Sequence, residues 1–154
     1  MERKTHIKAE DGKQEIWITR EFDLPVEMLF MAYEDPEIVS QWMGTKVLKL
    51  ENHNHGSYLF ETIDPMGNKH RFNGTIHEVV PNQRITRTFE MENTPFPIQL
   101  EYLAFEALEN SKSKLTMHVV YKSVDDRDRM LKLPFAQGIN MAHNRLQDVV
   151  GRLK

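Results

Sequence analysis

Ile16, Ile18 and Phe22 fall on one face at period two within Ile16-Trp17-Ile18-Thr19-Arg20-Glu21-Phe22, which predicts a β-strand. Asp23-Leu24-Pro25 ends it, and Pro25 suits the first turn of a helix, with Asp23 or Leu24 near the cap. Val26, Leu29, Phe30 and Tyr33 then recur at helical spacing. Asp35-Pro36-Glu37 restarts that pattern, with Asp35 as N-cap and Pro36 at the first position, followed by Ile38, Val39 and Trp42. Two short helices in tandem are expected, ending near Met43-Gly44.

A strand-rich stretch follows. Strands are expected at Val47–Leu50, Tyr58–Ile63, Arg71–Val80, Arg84–Met91, Gln99–Leu108 and Leu115–Tyr121. Asp64-Pro65-Met66-Gly67-Asn68, Pro81-Asn82-Gln83 and Asn110-Ser111-Lys112-Ser113 carry turn chemistry between them. Val124–Leu131 reads as a short charged turn or helix, interrupted at Pro134. From Ala136 to Leu153 the residues Ile139, Ala142, Leu146, Val149, Val150 and Leu153 mark one stripe of an amphipathic helix. A run of strands with helices segregated to two places is α+β, with helices covering one face of an antiparallel sheet.

The chain has 154 residues, which sets one domain as the expectation: 1–13 as a loose N-terminus and 14–154 as the folded unit. The absence of Cys excludes a disulfide scaffold, a thiolate zinc site and a cysteine nucleophile. A net charge of −3 argues against a nucleic-acid partner or an anionic membrane surface. No apolar run is long enough for a membrane span, and the start Met1-Glu2-Arg3-Lys4-Thr5-His6 lacks a signal-peptide stretch, so a cytoplasmic protein is expected.

The element order and several strings resemble one family. Ile18-Thr19-Arg20-Glu21-Phe22-Asp23-Leu24-Pro25-Val26-Glu27-Met28-Leu29-Phe30 is similar to the opening of the activator-of-Hsp90-ATPase-homologue family, within the START-like, Bet v 1-like superfamily. Asp35-Pro36-Glu37, Gln41-Trp42-Met43-Gly44, Gly56, Tyr58, Asp64 to Asn68, Gly74, Glu78-Val79-Val80-Pro81 and Arg84-Ile85 follow the family's order and spacing. Met43 stands where many members carry a second aromatic. The resemblance spans about Gln14 to Lys154. It implies a helix-grip fold, in which a curved sheet wraps the C-terminal helix and leaves a cavity between them.

That fold turns the strand parities into a candidate site. Trp42, Tyr58, Phe60, Phe72, Ile76, Arg87, Phe89, Leu103, Phe105 and Met117 share the inward parity or close one end, and Phe135, Met141 and Arg145 come from the helix side. On sequence alone the same set reads equally as core. Tyr102, His118 and His143 are further polar residues that could face the pocket. Arg87 either points inward, paired with Glu61, Glu90 or a ligand oxyanion, or lies on a sheet rim. His53 and His55 form a His-x-His string, but within turn chemistry and without a third ligand, so no metal site is expected. No catalytic residue, nucleophile elbow or phosphate loop can be assembled, and no cofactor is expected. The resemblance implies a binding protein for a small hydrophobic molecule (lipid, sterol, flavonoid or polyketide-like), in a sensing or stress role. The alternatives are a cyclase- or hydrolase-type enzyme and a co-chaperone whose partner is an Hsp90-type ATPase.

Overall fold

The computed structural model describes residues 4–154. Eight strands form one antiparallel sheet: β1 (His6–Lys8), β2 (Glu15–Phe22), β3 (Lys46–Leu50), β4 (Ser57–Ile63), β5 (Lys69–Val80), β6 (Arg84–Met91), β7 (Gln99–Leu108) and β8 (Lys112–Val120). Their spatial order is β1-β2-β8-β7-β6-β5-β4-β3. Four helices complete the chain: α1 (Val26–Glu34), α2 (Pro36–Met43), α3 (Val124–Leu131) and α4 (Phe135–Gly151). This is the expected α+β helix grip, with the sheet curved about the helical layer.

Local chemistry explains most boundaries. Asp35 caps α2 by accepting hydrogen bonds at Oδ1 from the backbone N–H groups of Glu37 (2.9 Å) and Ile38 (3.3 Å). Gly44 ends α2 in the left-handed region at φ 62°, where a side chain would be strained. Asp64 closes the β4–β5 turn, its Oδ1 accepting from the N–H groups of Met66 and Asn68. Asn110 and Ser111 both take positive φ in the three-residue connection Glu109-Asn110-Ser111 that joins the paired Leu108 and Lys112 of β7 and β8.

The period-two reading holds across the sheet. Tyr58 and Phe60, Ile85 and Arg87, Leu103 and Phe105, and Leu115, Met117 and Val119 are all buried on the concave side. Facing them, α1 buries Val26, Leu29, Phe30 and Tyr33, and α2 buries Ile38, Val39 and Trp42. Phe30 and Tyr33 meet Phe105 edge-on at 5.0 and 5.5 Å between ring centres.

Two expectations are corrected here. The first concerns the N-terminus, which is not loose across 1–13; residues 1–3 lie outside the described part. His6–Lys8 adds an edge strand to β2, and Thr5 is almost fully buried because α4 holds it: Asn140 Oδ1 accepts from its N–H at 3.1 Å. The second concerns the stripe of α4. Leu146 and Val150 are buried as expected, but Leu153 is exposed, and the stripe continues through the polar residues Asn140 and His143. A purely apolar count misses them because each is buried by hydrogen bonding rather than by hydrophobicity.

Candidate functional site

Arg87 and Glu101 occupy directly opposed positions on β6 and β7 and both point inward. Arg87 Nε donates to Glu101 Oε1 at 3.3 Å, with both side chains more than nine-tenths buried. The second Glu101 oxygen accepts from Gln99 Nε2 at 2.9 Å. The guanidinium also lies 5.0 Å from the ring centre of Tyr58 and 5.8 Å from that of Tyr33, within cation–π range. Burial pushes the Tyr33 and Tyr58 hydroxyls well above their ordinary range, opposed by the charge of Arg87, so both stay neutral.

The partner of Arg87 is therefore neither of the two carboxylates expected from the sequence.

 Glu61 is taken by Arg71 (3.0 Å) and Glu90 by Asn73 (3.2 Å), both across strands, which leaves Glu101 as the carboxylate on the inward row.

Tyr58 reaches over this row in an unusual way. Its ring lies across Gly74, and its hydroxyl donates to the Thr88 carbonyl at 2.6 Å. A β-carbon at Gly74 would sit 2.0 Å from that carbonyl oxygen and 2.5 Å from Tyr58 Cε1, so only glycine fits beneath the ring.

One row further along the sheet the surroundings change. Phe72 and Phe89 share the inward parity, yet they are only half-buried, with near-parallel rings 5.8 Å apart. Met91, Phe96, Leu131, Phe135 and Ile139 are likewise half-buried against the core. Arg129 of α3 clasps the β6–β7 loop at this end: its Nη2 donates to the Pro95 carbonyl, and its guanidinium lies 5.3 Å from the Phe96 ring centre. Beside Gln99 and Glu101 lies Tyr121, buried, with a hydroxyl that finds no hydrogen-bond partner among the described residues. Burial and the nearby Glu101 charge push that hydroxyl upward, so it stays protonated.

The thirteen sequence candidates thus separate. Trp42, Tyr58, Phe60, Ile76, Leu103, Phe105 and Met117 lie in the packed core; Trp42 stacks edge-on with Tyr33 and donates its Nε1–H to the Ala32 carbonyl. Arg87 is buried but already paired. Phe72, Phe89 and Phe135 are half-buried. Met141 and Arg145 are exposed, and Arg145 Nε donates to the Trp42 carbonyl, tying α4 to the end of α2. Tyr102 and His118 lie on the convex face instead, where Trp17, His118 and Tyr102 stack in a row across β2, β8 and β7. His53 Nδ1 donates to the carbonyl of Asn54 in its own turn, and His55 packs edge-on against His77.

Sequence reasoning missed Gln99, Glu101 and Tyr121. The signal was present for two of them: extending the Leu103–Phe105 alternation back along β7 reaches Glu101 and Gln99, polar residues at inward positions. Three open clefts in the surface, of about 630, 330 and 610 Å³, are lined by none of the thirteen candidates. No helix among the described residues is long and apolar enough to cross a membrane.

Comparison with other proteins agrees with this architecture. A Mycobacterium smegmatis protein superposes with a TM-score of 0.84 at 20% identity, covering 94% of this chain and 95% of that one. A Rhodobacter sphaeroides protein gives 0.84 at 20% identity over 97% and 100% of the two chains. An Arthrobacter aurescens protein gives 0.85 at 16% identity over 96% and 91%. These likenesses establish the fold. The sequence matches no curated protein. Residues 23–151 match the family described as activator of Hsp90 ATPase homolog 1-like protein, and the chain belongs to that family.

Proposed function

We propose that the protein binds a small amphiphilic molecule at the end of the concave face that carries Phe72 and Phe89, with Phe135 of α4 as a further apolar contact. The apolar body of the ligand rests on those half-buried rings, and its polar group meets the Tyr121 hydroxyl beside Gln99 and Glu101. The observation that carries this reading is the Tyr121 hydroxyl, buried and without a partner next to an ion pair and an apolar surface. A buried hydroxyl left unpaired costs about 1–3 kcal/mol, which a ligand acceptor or donor at that point would recover. Phenyl rings add stacking and edge contacts for a planar or flexible apolar molecule.

The family fold is compatible with ligand-binding or co-chaperone roles. Glu101, the carboxylate on the inward row, is engaged by both Arg87 and Gln99 and so is held as an acceptor, not as a free acid or base.

The test is a chemical-shift screen of the ¹⁵N-labelled protein against lipids, sterols, flavonoids and aromatic polyketides. Saturable shifts centred on Phe72, Phe89, Tyr121 and Phe135 are expected, with Tyr121→Phe weakening a hydroxyl- or carbonyl-bearing hit about tenfold. Hits that map elsewhere, or none from the four classes, would remove the proposal.

A further inference from the structure

A second buried arginine stands apart from that row. Arg20, on the inward face of β2, is almost fully buried. Its Nη1 donates to Thr5 Oγ1 at 3.1 Å and lies 3.5 Å from Asn140 Oδ1, and its guanidinium is 5.2 Å from the Phe22 ring centre. Its Nε is buried with no hydrogen-bond partner. Among the described residues no carboxylate forms an ion pair with it, in contrast to Arg87. A buried charge without a counter-charge is costly, so an acceptor from outside the chain would be strongly favoured there.

Arg20 also forms part of the wall of an open cleft of about 330 Å³. Lys4 and Lys112 stand on the rim with Glu21, Asp23 and Gln147. Three cations stand against two acids in the lining, which leaves one positive charge in excess. Asp23 Oδ1 is 3.6 Å from Lys154 Nζ, outside the cleft lining, and Gln147 Oε1 accepts from the Asp23 N–H at 2.8 Å, fixing that corner. The cleft therefore presents a buried guanidinium at its wall and two exposed lysines beside Glu21 and Asp23.

We infer that this cleft is a binding site for a phosphate group, either inorganic phosphate or the phosphate of a small monoester. The guanidinium fork suits an oxyanion's paired oxygens, and the two lysines supply point charges for the remaining ones. A phosphate offers enough oxygens for all three cations at once, which a carboxylate with two oxygens does not. The volume leaves space for an ester substituent beyond the phosphate itself. The site lies on β2 and the chain termini, separate from the β5–β6 face where Phe72 and Phe89 sit, so it stands or falls independently of the proposed amphiphile site.

The experiment is a ¹⁵N chemical-shift titration at pH 7 with sodium phosphate, phenyl phosphate and sodium acetate, each against sodium chloride of equal ionic strength. Saturable shifts at Thr5, Arg20, Phe22 and Gln147 are expected with both phosphates and not with chloride. Tighter binding of phenyl phosphate assigns the site to a monoester; equal binding assigns it to free phosphate. Arg20→Met should abolish the shifts. Because that variant could lose its fold, Lys4→Ala/Lys112→Ala serves as the second arm: both side chains are exposed, and their joint loss should raise the dissociation constant at least fivefold. Phosphate shifts no larger than those of chloride, acetate binding as tightly as phosphate, or a double lysine variant that titrates like the wild type would each overturn the inference.

Discussion

Arg87 on β6 and Glu101 on β7 neutralise each other across the inward face, 3.3 Å apart and sealed from water by Tyr33 and Tyr58. Removing one partner strands the other in the core. Arg87→Met is expected to cost about 3–5 kcal/mol in urea unfolding, the usual penalty for an orphaned buried charge. Arg87→Met combined with Glu101→Leu should recover most of that loss. If the single variant is as stable as the wild type, the pair is not dry.

Gly74 is the floor on which the Tyr58 ring rests. Gly74→Ala drives a methyl group into the Thr88 carbonyl, backbone that cannot step aside, so a loss of about 1–3 kcal/mol or more is expected. Tyr58→Phe, which removes only the hydrogen bond to Thr88, should cost about 1 kcal/mol. Chemical denaturation ranks the two; the reverse order would mean that β5 shifts to make room.

His143 makes stability depend on pH. Its Nδ1 lies 2.9 Å from Thr5 Oγ1, its Nε2 is buried without a partner, and burial, aided by the Arg20 charge, lowers its pKa from 6.5 to about 3. The folded state therefore holds the neutral ring while the unfolded chain takes up a proton below about pH 6.5. Stability from this group is fully present above pH 6.5 and declines as pH falls towards 3, by up to about 1.4 kcal/mol per pH unit. His143→Gln should flatten that limb in urea titrations between pH 6.5 and 4. An unchanged slope would place the acid sensitivity elsewhere.

Tyr121→Phe separates binding from folding. Without ligand, deleting an unpaired buried hydroxyl should leave the protein equally stable or raise its stability by about 1 kcal/mol in urea unfolding. Marked destabilisation would show that the hydroxyl is satisfied by water and is not waiting for a ligand.

The sheet and its facing were readable because period two survives in every long strand, from Tyr58–Phe60 to Leu115–Met117. The tandem helices were readable from Asp35, Pro36 and Gly44, whose preferences are local. The division of the candidate residues between core and site was not. Parity says which way Trp42 or Phe105 points, but whether a helix residue such as Tyr33 fills the space in front of it depends on packing between distant segments. The partner of Arg87 was missed for a related reason: Glu90 is nearer to it in sequence than Glu101 and Glu61 is farther, so separation along the chain does not pick the partner and only strand register does. The buried network of Thr5, Arg20, Asn140 and His143 joins the two ends of the chain through polar side chains, which no hydrophobic pattern marks.

The position of β2 in the sheet bears on how the protein is made. β2 forms near the start of synthesis, but it lies between β1 and β8, and every residue of its ladder with β8 has a partner most of the chain length away. Until β8 leaves the ribosome, the β2 edge of the β1–β2 hairpin remains unpaired, and α1 and α2 have only part of their floor. Such non-local pairing slows folding and delays it until after translation. The β3–β7 meander, built from neighbouring strands, can assemble first, and the early hairpin then docks onto β8 as the last seam.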